Sequence, residues 1–313
     1  MKTSFISKRK PRKYWKLELL SRISFLYLNE SFRYPFILKV ADRKHKLVIK
    51  HLERKQSNII EKYRNIREKE VSLDHERYIW TLWWQGEENA PELVRICLKQ
   101  LRKNANGAKV VLISKDNYKD YIELPKHIIE KKEAGYISIQ QLSDILRFTL
   151  LEKYGGLWLD STIYTSKPIP REYFEYHFFS QHTQWQDTCF VQHNLWHGFC
   201  IGSQPGGKLV SFAKEMFFDY WEKENKLVDY LMIDYIIMLA YQQYPDIKEE
   251  IDTLPYSSER LYDLVGLLSD EYDRESFDKL MDECIFSKLD WHKEYRTATV
   301  DGKGTNYSHI AGL

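Results

Sequence analysis

The sequence predicts an α/β protein built on a mostly parallel sheet, and three observations carry that prediction. Short β-branched and aromatic runs alternate with longer stretches of helical periodicity, at the lengths expected of strand–helix units. Glycine and proline fall at the joints, above all the Gly155-Gly156 pair that follows the strongest helical pattern. Of the 313 residues, 43% are apolar and 15% aromatic, enough for a large core and too many for a disordered chain. This length exceeds an average domain, so one α/β unit with an appendage, or two domains, is expected. No run approaches the roughly 18 consecutive apolar residues of a bilayer span. Residues 1–10 hold no apolar signal-peptide core, so secretion is not expected.

The chain opens basic. Residues 1–70 hold 20 Lys/Arg against 7 Asp/Glu, a balance of +13, while the other 243 residues carry −11. The net +2 therefore hides a basic appendage on an acidic body, with a boundary expected between a helical region over 1–75 and a domain over 76–313. Within the appendage, Leu19, Leu20, Ile23, Leu26 and Tyr27 lie at helical spacing, with Lys13, Lys16 and Arg22 among aromatic residues. Pro35 interrupts, and Leu47, Val48, Leu52, Ile59, Tyr63 and Ile66 predict a second, longer helix. Two readings are open: a hairpin packed on the body with a solvated basic face, or docking on an anionic membrane surface. Nucleic acid is not an expected partner, because no nucleic-acid motif accompanies the basic residues.

In the body, residues 77–84 read as a strand closed by the Gln85-Gly86 turn. Residues 91–104 read as a helix with Pro91 near its first turn, where the missing N–H costs nothing. A short buried strand follows Gly107 over 109–114. The helix over 140–154 ends at Gly155-Gly156, and the strand over 157–159 leads into Asp160. Further strands are expected over 177–180 and 199–203, and helices over 209–221 and 228–241. Cys97, Cys189, Cys200 and Cys284 form no CxxC pair and no regular spacing, which predicts reduced thiols packed as small apolar side chains and excludes a structural zinc site.

The residues that carry chemistry run from Ser143 to Thr162. Asp144 and Arg147 are three apart on the strong helix and share a face. An exposed ion pair is the ordinary reading of that spacing. Leu142, Ile145 and Leu146 on one side and Phe148 and Leu151 on the other point instead to a helix buried all round, whose charges need partners or a polar ligand. Asp160 falls at the carboxyl end of the following strand, where open α/β sheets bind ligands, and suits a ribose hydroxyl or a hard divalent cation. Asp234 sits among Leu231, Met232, Ile233, Tyr235, Ile236, Ile237 and Met238, where a lone carboxylate is costly. An intrahelical or capping role and an acceptor-side or sugar-orienting role are both open for it.

These stretches resemble a known family. Ser143-Asp144-Ile145-Leu146-Arg147, then Lys153-Tyr154-Gly155-Gly156-Leu157-Trp158-Leu159-Asp160-Ser161-Thr162, is similar to the capsular-polysaccharide-synthesis glycosyltransferases. More distantly it resembles the sugar transferases with a DXD motif, including glucosylating bacterial toxins. Trp80, Trp83, Trp84, Gln85 and Gly86 with Ala90-Pro91, and the run from Asp229 to Asp234, support the resemblance, which covers most of residues 76–240. It implies a GT-A-like fold and retaining transfer of a hexose from a nucleotide sugar, UDP-linked by analogy, to a lipid-linked oligosaccharide. It also implies a place in bacterial surface-polysaccharide assembly, at the cytoplasmic face of the plasma membrane.

Carried onto matching positions, the resemblance puts Trp83 on the donor base and Asn117 near the nucleoside. Asp144 and Arg147 would hold donor-sugar hydroxyls, and Asp160 would contact ribose and metal. One position departs from the DXD pattern: Asp160-Ser161-Thr162 puts Thr162, a neutral hydroxyl, where the second aspartate stands. Mn²⁺ or Mg²⁺ is then expected mainly on Asp160 and the donor diphosphate, weakly held before the donor arrives. Charge on the departing diphosphate also calls for basic groups, for which Arg147, Lys293 and His309 are available.

Two rivals are open on the same sequence. Residues 202–208 nearly spell a P-loop after an expected strand, which would make a phosphotransferase, but Leu209 replaces the Ser/Thr that binds Mg²⁺. A carbohydrate-binding protein that kept the fold without catalysis is the second. His193 and His197 have the i,i+4 spacing of a metal pair without the glutamate of H-E-x-x-H. The basic run over 8–13 could mimic a localisation signal, though a solvated or lipid-facing tail is the expected reading.

Overall fold

A computed structural model describes residues 34–68, 76–184, 186 and 188–313. The helix expected over 19–27 and the basic run over 8–13 lie outside the described residues. From Tyr34 the chain forms helix α1 (Tyr34–Lys55) and α2 (Ser57–Arg64), then strand β1 (Tyr78–Leu82), α3 (Glu92–Lys103), β2 (Lys109–Ile113), α4 (Tyr118–Tyr121) and α5 (Lys126–Glu133). Helix α6 (Ile139–Tyr154) leads into β3 (Gly156–Leu159), β4 (Ile163–Thr165), β5 (Phe179–Ser180) and β6 (Cys200–Ser203). The chain closes with α7 (Lys208–Lys223), α8 (Met232–Gln243), α9 (Pro245–Asp252), α10 (Asp263–Leu267), α11 (Arg274–Glu283), β7 (Phe286–Lys288) and α12 (Asn306–Ala311).

The central sheet has the order β2-β1-β3-β6-β5. Strand β1 runs parallel to β2 and to β3, and β6 is antiparallel to both β3 and β5. Four of the five strands therefore point one way and β6 alone is reversed, which is the mostly parallel α/β sheet the sequence predicts. A separate antiparallel ladder joins β4 to β7, with Ile163 opposite Lys288. That ladder lies just past the carboxyl end of β3 and decides much of the site.

Helix α6 forms because its sequence supplies both ends. The Ser138 hydroxyl accepts from the Gln141 N–H at 3.2 Å, and Gly155, at φ 65°, closes the C-terminus by donating to the Leu151 carbonyl. Between them Gln141, Leu142 and every residue from Asp144 to Leu151 are buried, so the helix is enclosed on all sides as expected. Gly156 has φ 99°, and a Cβ there would collide with the Tyr78 carbonyl of β1. The two glycines thus turn the chain from helix to strand where β1 and β3 pair closely.

Four local expectations are corrected. Pro35 does not interrupt a helix; it lies in the first turn of α1, where proline is tolerated. The single long helix expected over residues 47–66 is broken at Gln56, whose side chain donates to the Met216 carbonyl of α7 at 2.6 Å, and Ile66 lies beyond α2. The strand expected over 177–180 is only the two residues of β5. Helix α8 starts four residues later than residue 228, because Asp229 folds back to accept from the Leu231 N–H.

Val48, Leu52, Ile59, Ile60 and Tyr63 of α1 and α2 belong to the same apolar core as the sheet, α6, α7 and α8. The change of charge near residue 70 is therefore not a break in packing. A smaller core joins α3 to α10, α11 and α12. All four cysteines are unpaired with one another, and Cys97, Cys200 and Cys284 are buried. No helix among the described residues is long and apolar enough to cross a membrane.

Candidate active site

A cavity of about 1030 Å³ opens at the carboxyl ends of β1 and β3. Its walls come from the loop after β1, one face of α6, the residues after β3, the start of α8 and the segment that follows β7. Of the residues singled out in the sequence, Trp83, Asp144, Arg147, Asp160, Thr162, Asp234 and Lys293 all line it. Residues as far apart in sequence as Trp83 and Lys293 meet in one site, and β3 ends beside the face of α6 that carries Asp144 and Arg147.

Arg147 is the centre of the polar floor. It donates through Nη1 to Asp144 Oδ1 at 2.9 Å and through Nη2 to Asp160 Oδ1 at 3.3 Å, and its guanidinium lies 4.9 Å from the centroid of the Trp158 ring. The Trp158 indole N–H also donates to Asp160 Oδ1, at 3.1 Å. The ammonium of Lys288 donates to Asp160 Oδ2 at 2.8 Å. Burial would raise the Asp160 carboxyl, but Lys288 and Arg147 outweigh it and hold the group down at about 2. Asp144 is pushed the other way, up to about 6, by burial that Arg147 only partly offsets.

Asp234 sits in the first turn of α8, buried, and accepts from the Trp196 indole N–H at 3.0 Å. Burial pushes its carboxyl up to about 7, the Trp196 bond working against the shift. The bond to Trp196 comes from outside α8, and the side chain faces the cavity rather than capping its own helix. His197, also on the wall, is driven down to about 4 by burial and then by His182, so it is a neutral imidazole near pH 7.

The rim is aromatic. Trp83 meets Trp291 edge to face at 5.3 Å between centroids, and the buried Trp83 indole N–H has no hydrogen-bond partner among the described residues. On the other side Tyr230 and Tyr262 stand exposed. Such rings offer flat faces to a base or a sugar.

Two expected residues lie elsewhere. Asn117 accepts from the Ser114 N–H at 2.8 Å and donates to the Leu112 carbonyl at 2.9 Å, so its amide is spent closing the turn after β2 and lines none of the cavity. His309, exposed on α12, stacks on Tyr272 with ring centroids 3.9 Å apart and lines none of the cavity either. Lys288, Trp158 and Trp291 are the residues sequence reading missed. The mixed basic and aromatic stretch from Lys288 to Lys293 was the available signal.

The P-loop reading finds no site. Gly207 precedes α7, but the first N–H of that helix, on Lys208, donates to the Glu68 carboxylate at 2.9 and 3.0 Å. The Lys208 ammonium pairs with Asp246 at 2.6 Å, and none of residues 202–208 lines the cavity. The chain's own carboxylates thus fill the places a phosphate would take. His193, at φ 48°, is in a turn and not a helix, so it makes no i,i+4 pair with His197.

The divalent cation implied by the resemblance also meets a poor donor set. Asp160 is one carboxylate with both oxygens engaged by Arg147, Trp158 and Lys288, and Thr162 brings a neutral hydroxyl. No group of three or more His, Cys, Asp or Glu side chains among the described residues is arranged to hold a metal. These residues do not fit a dedicated cation site.

No curated protein matches the chain. Among solved structures it is similar to one titled "PaToxG Glycosyltransferase", at 13% identity and a TM-score of 0.31, over 67% of this chain and 94% of that one. The family model described as "Capsular polysaccharide synthesis protein" matches residues 29–310, a span that takes in α1, every strand and every wall of the cavity. The chain belongs to the capsular polysaccharide synthesis protein family.

Proposed function

We propose that the protein is a glycosyltransferase that moves a hexose from a nucleoside-diphosphate sugar to a saccharide acceptor in capsular polysaccharide synthesis. The observation that carries this reading is the polar floor Asp144–Arg147–Asp160–Lys288 beneath an aromatic rim, in a cavity of about 1030 Å³. A nucleotide sugar needs those three things together: rings for the base, carboxylates for sugar and ribose hydroxyls, and cations for the diphosphate.

In this reading the base packs against Trp83, and Asp160, ionised and fixed by three donors, accepts from the ribose. Asp144 and Arg147 hold hydroxyls of the transferred sugar, and Asp234 faces it from α8. As the bond from the anomeric carbon to the diphosphate breaks, its electron pair stays on the phosphate oxygen beside the basic groups. The acceptor hydroxyl oxygen bonds to the same carbon and its proton passes to the departing diphosphate. With no side chain assigned as a covalent nucleophile, transfer on one face of the sugar with retained configuration is the proposed course. A uridine base follows from the resemblance.

A lipid-linked acceptor at an anionic membrane surface is the proposed setting. Its support is α1, where Lys39, Arg43, Lys46, Lys50 and Arg54 line one exposed face together with Phe36 and Leu47, opposite the buried Ala41, Val48 and Leu52. Replacing those five basic residues by glutamine should abolish sedimentation with anionic liposomes; unchanged binding refutes the docking. Deleting residues 1–70 would be a poorer test, because it removes part of the core.

The main test is a screen of nucleotide sugars for thermal stabilisation and for hydrolysis or transfer. One donor should stabilise and turn over with the wild type and not with Asp160→Ala. A protein that turns over no nucleotide sugar, or an Asp160→Ala variant as active as wild type, refutes the assignment.

A further inference from the structure

We propose that Lys288 is the cation of the diphosphate site, held on Asp160 where the resemblance places a divalent ion, so that a nucleoside diphosphate binds here without one. The inference rests on the glycosyltransferase reading above. Three features of the structure support it.

The first is occupancy. The Lys288 ammonium donates to Asp160 Oδ2 at 2.8 Å, and Arg147 and Trp158 hold the other oxygen of the same carboxylate. A divalent ion reaching Asp160 would have to displace one cation and sit beside another. The second is spare capacity. An ammonium has three donors, of which Asp160 takes one, and Lys288 lines the cavity with its side chain 24% exposed. Arg147, by contrast, is almost wholly buried and shared between Asp144 and Asp160, so it has less to offer a phosphate.

The third is preorganisation. Lys288 ends β7, where its backbone pairs with Ile163 of β4 and its N–H donates to the Leu261 carbonyl at 2.8 Å. Phe199 lies beneath the ammonium, 5.3 Å from ring centroid to nitrogen, and shields it from water on that side. A strand residue braced on its backbone and its carboxylate keeps its charge in place before ligand arrives. Beyond it Asp290, Trp291, His292 and Lys293 continue the same wall, and Lys293 brings a second cation to it.

The test is calorimetric binding of UDP, GDP, CDP and ADP in excess EDTA and again with Mn²⁺ or Mg²⁺. The wild type should bind at least one of them in EDTA, with an affinity that metal changes by less than about threefold. Lys288→Ala should weaken that binding roughly 100-fold in EDTA. Adding Mn²⁺ should recover it, because the freed Asp160 oxygen can now accept an ion, and Asp160→Asn on top of Lys288→Ala should remove the recovery. Lys288→Arg, which keeps charge and fold, should stay within about tenfold of wild type in EDTA.

Wild-type binding that appears only with metal overturns the inference and leaves the glycosyltransferase reading standing. Undiminished binding by a folded Lys288→Ala protein in EDTA does the same. Binding of no nucleoside diphosphate under either condition overturns that reading, and the inference with it.

Discussion

Asp234→Asn should make the protein more stable and less active, and the gain should depend on pH. The carboxyl is buried in the first turn of α8, accepts from Trp196, and is pushed by burial from 3.8 to about 7. An acid whose folded value is raised costs nothing below its unfolded value. Stability is then lost as pH rises from about 4 to about 7 and the loss levels off above. With those two values the cost is under about 1 kcal/mol near pH 4 and about 4 kcal/mol near pH 8. Asparagine keeps an oxygen for the Trp196 N–H and carries no charge, so the variant escapes the cost. For a chain of this length about 4 kcal/mol corresponds to a melting-point rise of roughly 6 °C near pH 8, shrinking to about 1 °C near pH 4. Thermal and urea unfolding of both proteins across that range measures the gap, and nucleotide-sugar turnover measures the loss of function. A gap that stays constant with pH, or an asparagine variant less stable near pH 8, would show that Asp234 is not a strained acid and would sink the reasoning.

Gly156→Ala should destabilise the fold by roughly 3 kcal/mol or more, because its backbone is left-handed and the new Cβ meets the Tyr78 carbonyl; a melting point equal to wild type contradicts this. Lys208→Ala should cost about 1–3 kcal/mol through its lost packing on Tyr244 and its pairing with Asp246, and turnover per folded molecule should be unchanged. Loss of turnover in folded Lys208→Ala protein would restore the P-loop reading. Trp83→Ala should weaken nucleotide binding by about 5- to 100-fold, the worth of one stacked base, with much less effect on turnover at saturation; equal dissociation constants would remove Trp83 from the base site.

Much of the site was legible because it is written locally. The Asp144–Arg147 spacing, the apolar residues on both sides of it and the glycine pair after Tyr154 together specify a buried helix that turns sharply into a strand ending at Asp160. Periodicity and capping act over a few residues, so sequence shows them directly. Asn117 was misread for the same reason: a short amide after a strand serves a turn or a ligand equally well, and only the positions of Ser114 and Leu112 show that the turn takes it. The break at Gln56 was likewise invisible, since it depends on a carbonyl of α7 supplied 160 residues later.

By itself the sequence determined the α/β layering, the ends of α6 and the residues on its charged face, because each follows from hydrophobic period and backbone chemistry within one element. The tertiary structure alone decided what Asp160 touches. Pairing of β4 with β7 brings Lys288 from 128 residues away onto a carboxylate that sequence reading had given to a metal. Which strands pair is settled by the packing of the whole core and leaves no mark in the local pattern of either strand.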